Sequence, residues 1–174
     1  MYLMKERRIR MDDAWEVIVV GGGPAGCAAA ISAAREGAKT LLIEATGCLG
    51  GMGTSGLIPS WCPFSDREKV IYGGIAEKVF NASKSGIPHV KKDDVDWVPI
   101  DPELLKRVYD DMVVEAGVTV LFNTFLSAVD TDGDGNVNAI IASNKSGLTA
   151  YRAKVYVDCT GDADLAAWAG AEYR

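Results

Sequence analysis

The sequence predicts an α/β fold: a three-layer domain built on a parallel sheet, with a small antiparallel β-meander attached. Three observations carry this. An apolar run, Val17–Val20, leads directly into Gly21-Gly22-Gly23-Pro24-Ala25-Gly26. A small-residue helical pattern and a second apolar run, Thr40–Ile43, follow. Beyond Leu126 the pattern turns to short strand-like segments split by turn residues.

The elements follow in order. A first strand is expected over Glu16–Val20 and a first helix over Ala25–Glu36, with Gly37 as its C-terminal stop. Thr40–Ile43 is the second strand. Thr46–Gly56 carries glycine at 47, 50, 51, 53 and 56, too many for a regular element, and is expected to face a ligand from the strand end. Leu57–Val70 reads as irregular. Gly73–Lys84 reads as a helix with Ile75, Val79 and Ala82 on one face, ended by Gly86 and Pro88. His89–Pro99 is a polar loop. Asp101-Pro102-Glu103 opens a strong helix with a side-chain cap, an N-terminal proline and an early acid. Leu104, Leu105, Val108, Met112 and Ala116 form its buried stripe, and Gly117 stops it. Val118–Phe122 is a further parallel strand. Leu126–Val129, Val137–Ser143 and Leu148–Arg152 make the antiparallel meander, and Ala153–Asp158 returns as a strand. Thr160-Gly161-Asp162 then breaks the chain before a short helix, Ala163–Ala169, with Asp162 as its expected cap.

The glycine loop carries the chemistry. In a G-x-G-x-x-G turn between strand and helix, Gly21 permits the tight turn and Gly23 leaves room for a pyrophosphate against the backbone. Gly26 lets the helix lie close to the strands. The helix start offers free N–H groups and the positive end of its dipole to phosphate. Glu44 ends the second strand about 20 residues on, where a carboxylate accepts hydrogen bonds from ribose hydroxyls and would repel a 2′-phosphate. Strand before, helix after and acid at the right distance together point to an adenine dinucleotide, in a Rossmann-like FAD/NAD(P)-binding domain.

Composition narrows the class. The 174 residues are 48% hydrophobic and 24% charged, with a net charge of −6, which suits a globular domain. Lys and Arg are dispersed apart from Lys5–Arg10, which argues against nucleic acid as a partner. That cluster reads as a solvated basic arm spanning residues 1–14. No apolar run of about 20 residues is present for a membrane helix, and no apolar stretch follows the basic start as a secretory signal would require. The expected setting is cytoplasmic, with Cys27, Cys48, Cys62 and Cys159 as free thiols in no C-x-x-C spacing.

Together, VVGGGPAGCAAA with Glu44, the loop CLGGMGTSG and the segment VYVDCTGDADLAAWAGA resemble the FAD-dependent oxidoreductases of the glutathione-reductase-like flavoprotein superfamily. The resemblance lies near the fumarate reductase and GidA-type members and covers nearly the whole chain. It implies FAD as cofactor. Gly21, Gly22, Gly23, Pro24, Ala25 and Gly26 would contact the pyrophosphate, with Glu44 and Ala45 at the adenosine ribose. Gly50, Gly51, Met52, Gly53 and Thr54 would run beside the diphosphate and ribityl chain. Backbone at Phe125 and Leu126 would meet the adenine, and Thr160, Gly161 and Asp162 would pack against the cofactor from the returning strand. Members of the superfamily continue well past this point, so the chain reads as the N-terminal part of a flavoenzyme. Residues 57–100 would be an insertion that begins the substrate region. The resemblance names no substrate and no catalytic residue.

Two other readings compete: an NAD-binding dehydrogenase module, and a non-catalytic fragment that associates with itself through surface bared by truncation. Other constellations carry less. Asp130–Asn136 imitates the start of a calcium loop, but Ile141 stands where the bidentate Glu belongs, so an acidic hairpin turn is expected. His89 is the only histidine, which removes histidine-based metal centres and hydrolytic triads. The four tryptophans read as packing residues, with Trp61 the one to inspect beside a flavin.

Overall fold

The computed structural model describes residues 8–66 and 68–172. Two four-stranded sheets and a group of helices form three layers. In chain order the elements are β1 Arg10–Asp12, β2 Val17–Val20, α1 Pro24–Arg35, β3 Thr40–Ile43, α2 Gly74–Lys84, α3 Pro102–Glu115, β4 Thr119–Leu121, β5 Phe125–Thr131, β6 Val137–Asn144, β7 Gly147–Tyr151, β8 Val155–Asp158 and α4 Asp164–Trp168.

The central sheet runs β4-β3-β2-β8 and is parallel throughout. Val17 pairs with Thr40 on one side and Val155 on the other, so β2 lies in the middle. Its period-two side chains serve two cores. Val19 and Leu42 turn towards Cys27, Ala30 and Ile31 of α1 and Leu105, Tyr109 and Val113 of α3. Ile18, Val20, Leu41 and Ile43 turn the other way, onto Ile140, Ala142 and Tyr151 of the second sheet and Leu165 of α4. Strands buried on both faces read as continuous apolar runs, which is why VIVV and TLLI stand out in the sequence.

The second sheet runs β1-β7-β6-β5. β5, β6 and β7 are the expected antiparallel meander. The arm read over residues 1–14 is in part a strand: Arg10–Asp12 pairs in parallel with Thr149–Tyr151. Three residues with one apolar side chain carry no period-two signal, so only the partner strand reveals β1. The rest of the arm, residues 1–7, lies outside the described residues.

The helices follow their signals with local corrections. Asp101 caps α3, its Oδ1 accepting from the Glu103 and Leu104 amides at 2.9 and 3.1 Å. The stripe of α3 centres on Leu105, Val108, Tyr109 and Val113, while Leu104, Met112 and Ala116 pack at its margin. In α2 the inward face is Val79, Phe80, Ser83 and Lys84, with Ile75 at its edge, and Ala82 is exposed. Phe80 stacks on Phe64 at 4.4 Å and, with Val98, forms a small separate core. Asp162 does not cap α4. Ala163 takes the N-cap position in a left-handed conformation (φ 59°). Capping falls to groups further back: the Thr160 hydroxyl accepts from the Asp164 amide at 2.9 Å and Asp158 accepts from the Ala166 amide at 2.8 Å.

Candidate functional site

The carboxyl ends of β2, β3 and β8 open into a cleft of about 540 Å³. This is the edge of a parallel α/β sheet where ligands bind. The turn after β2 forms its floor. Gly21 donates to the Ile43 carbonyl at 2.8 Å and has φ 100°. A Cβ there would run into the Cys159 carbonyl, so this corner admits only glycine. Gly26 faces the Gly21 carbonyl with no room for a side chain, which lets α1 sit tightly on β2.

Gly23 differs from both. A Cβ at Gly23 would meet nothing within 4 Å, because that side faces open space in the cleft. Gly23 is also the N-cap of α1 and offers no side-chain cap, and Pro24 at the first helical position has no N–H. The early amides of α1 therefore lack both intrahelical and side-chain acceptors. With the helix dipole behind them, they suit an anionic group.

Glu44 lines the cleft and is 8% exposed. Its Oε2 accepts from the Gly22 amide and its Oε1 from the Thr46 amide, each at 2.6 Å. The carboxylate thus ties the glycine turn to the loop after β3. A carboxylate has about four acceptor sites on its two oxygens. Two N–H bonds leave one site on each oxygen for a hydroxyl donor.

The glycine-rich loop after β3 packs beside the turn. The Gly50 amide donates to the Gly22 carbonyl at 2.9 Å. Thr54 is fully buried, and its hydroxyl donates to the Leu49 carbonyl at 2.7 Å, which closes the loop on itself. Gly51 and Met52 reach the cleft, and Met52 is 62% exposed. Thr124, held by its amide to the Glu44 carbonyl at 3.0 Å, brings Phe125 and Leu126 to the far wall.

Most of the expected site residues meet here. Gly21, Gly23, Pro24, Ala25, Glu44, Ala45, Gly51, Met52, Leu126, Thr160 and Gly161 line the cleft. Gly22, Gly26, Gly50, Gly53, Thr54 and Asp162 are absent from its wall. The first five of these shape the turn and loop from behind: Gly22 through its bond to Glu44, Gly53 against Leu105 and Ile100, Gly50 against Thr54 and Tyr109. Asp162 is exposed. The cleft also includes Val20, Ile43, Thr46, Ser55, Gly56, Thr124, Cys159 and Asp164, none of which was named individually as a cofactor contact. Thr46, Ser55 and Gly56 lie in the glycine-rich segment, and Cys159 lies directly before Thr160-Gly161. Extending each set of named contacts by a residue or two reaches all eight.

The titratable groups at the cleft are set by burial and backbone bonds. Burial pushes the Cys27 thiol up to about 12, so it stays protonated and donates to the Gly22 carbonyl at 3.2 Å. Burial likewise raises Cys159. At Asp158, burial works upward. The Thr160 and Ala166 amides and the Thr160 hydroxyl outweigh it and hold the carboxyl below its usual value. All four cysteines are free. Trp61 packs edge-on to Phe64 and Phe80 and donates its indole N–H to Ser83 at 3.1 Å, a packing role. The Asp130–Asn136 stretch is a turn folded around Asp132, whose Oδ1 accepts from the Asp134 amide at 2.9 Å.

Comparison with known proteins places this architecture. Residues 16–174 match the family described as FAD dependent oxidoreductase. The chain belongs to that family. Among curated relatives, this family member is 29% identical over 177 residues to a digeranylgeranylglycerophospholipid reductase of Picrophilus torridus, covering 92% of this chain and 43% of the relative. It is 30% identical over 159 residues to glutathione reductase of Schizosaccharomyces pombe, covering 84% of this chain and 31% of the relative. The chain thus spans less than half the length of these two relatives. Among solved structures, it is similar to a geranylgeranyl bacteriochlorophyll reductase-like protein of Thermoplasma acidophilum (TM-score 0.61, 21% identity, covering 95% of this chain and 43% of the other). It is also similar to THI4 of Thermovibrio ammonificans (TM-score 0.63, 18% identity, covering 91% and 64%). At these identities the structural likeness establishes the fold. Among the described residues, no helix is long and apolar enough to cross a membrane.

Proposed function

We propose that the cleft holds the adenosine diphosphate half of FAD and that the chain serves as the FAD-binding part of a flavin-dependent oxidoreductase. One observation carries the reading: the open backbone at Gly23, on a helix start with no side-chain cap, with Glu44 beside it on the same cleft. The diphosphate would lie against the amides at the start of α1. The remaining acceptor sites of Glu44 would take ribose hydroxyls, and the backbone at Phe125 and Leu126 would border the adenine. Gly51 and Met52 would border the diphosphate and the chain leading to the flavin. The flavin, when bound, supplies hydride or electron transfer. The protein's part is to bind, orient and shield it.

Family membership supports FAD over the alternative of an NAD-binding module. The names of these relatives denote reductions of quite different molecules, so they suggest a reaction type and no substrate. Side-by-side titration with FAD and NADH tests the reading. FAD is expected to bind saturably, with a change in its visible spectrum, while NADH binds more weakly. Tight NADH binding without an FAD response would overturn it.

A further inference from the structure

A second cavity of about 460 Å³ lies between the last turn of α2 and the segment after it, lined by Asn81, Lys84, Ser85, Val90, Lys91 and Lys92. It shares no residue with the nucleotide cleft. Lys84 is 5% exposed, among the least accessible charged residues described. A buried ammonium is costly unless it is paired and its donors are used. Its Nζ donates to the Asp94 carbonyl at 2.7 Å and lies 4.5 Å from the centre of the Phe80 ring. The C-terminal carbonyls of α2 add a favourable dipole. None of these partners carries a negative charge.

The side chain of Asp94 does not supply one either. Its Oδ2 accepts from the Lys91 amide at 2.8 Å, and Lys84 receives only its carbonyl. Among the described residues, no carboxylate oxygen lies within 4.0 Å of the Nζ of Lys84, Lys91 or Lys92. Three lysines thus line a cavity whose lining has no acid, beside the neutral donors Asn81 and Ser85. A Lys ammonium has three N–H donors, and Lys84 uses one on the protein.

We propose that this cavity binds an oxyanion, the carboxylate or phosphate group of a small molecule, with Lys84 as the buried counter-charge and Lys91 and Lys92 closing over it. The site is separate from the nucleotide cleft, so its test does not depend on FAD.

The full chain is titrated with inorganic phosphate and with succinate at constant ionic strength set by chloride. Melting temperature and calorimetric heat are both read. At ten times its Kd, a bound probe should raise the melting temperature by roughly 3–6 °C. Saturation by phosphate alone that the lysine variants weaken identifies a phosphate site in this cavity, and saturation by succinate alone that they weaken a carboxylate site. Lys84→Met should lose at least tenfold in affinity. The double variant Lys91→Ala/Lys92→Ala alters exposed side chains and keeps the test decisive if Lys84→Met does not fold. Failure of both probes to saturate, or unchanged affinity in the double variant, would overturn the proposal.

Discussion

At the scale of single residues, the glycine turn separates two jobs that one motif combines. Gly21 and Gly26 exist for the fold, since a Cβ at either would strike backbone. Gly23 is free of that constraint, since a Cβ there strikes nothing, and under the proposed function its open backbone would serve the diphosphate. Gly23→Val should therefore leave stability nearly unchanged and lower FAD affinity by roughly 10- to 100-fold. A hydrogen bond to a charged group contributes about 1.5–3 kcal/mol, and blocking the backbone forfeits at least one. Thermal melting and FAD titration of the same variant check both halves. Both carboxylate oxygens of Glu44 are already bound to amides, so this residue builds the cleft as well as facing it. The sequence showed an acid at the right spacing. The bonds that orient it belong to Gly22 and Thr46, and only the folded loop places their amides.

At the scale of elements, capping signals were legible where the cap is local. Asp101 precedes its helix directly, and its side chain reaches the next amides. Asp101→Ala should cost about 1 kcal/mol, a drop of roughly 2–4 °C in melting temperature by calorimetry. The cap of α4 was misread because it is not local. Asp158, at the end of β8, reaches eight residues forward to Ala166. Its lowered carboxyl pKa adds stability that is fully present above the ordinary value of 3.8 and is lost as pH falls through the lower folded value. Wild type and Asp158→Asn should therefore converge in stability as pH falls through and below 3.8, read by denaturant melts at each pH.

At the scale of the whole molecule, the parallel sheet is a partition between two cores, one shared with the helices and one with the second sheet. Ile140 is fully buried on β6 within the second core. Ile140→Ala should cost about 2–5 kcal/mol, measured by urea denaturation, because it opens a cavity where the sheets meet. That site is distant in sequence from the glycine motif, so the loss should fall on stability before cofactor affinity. The cleft depends on the same packing. Phe125 and Leu126 reach it only because the second sheet docks on the first.

The sequence by itself determined the parallel core, the glycine turn, the acid at the end of β3 and the family to which they belong. Each is a local pattern: an apolar run, a glycine spacing, an acid at a fixed offset. Tertiary structure decided that Arg10–Asp12 pairs with β7, that Asp158 rather than Asp162 serves α4, and that Lys84 is buried beside two other lysines. These features depend on groups brought together across the fold, and a contact between distant segments leaves no periodic trace in either one.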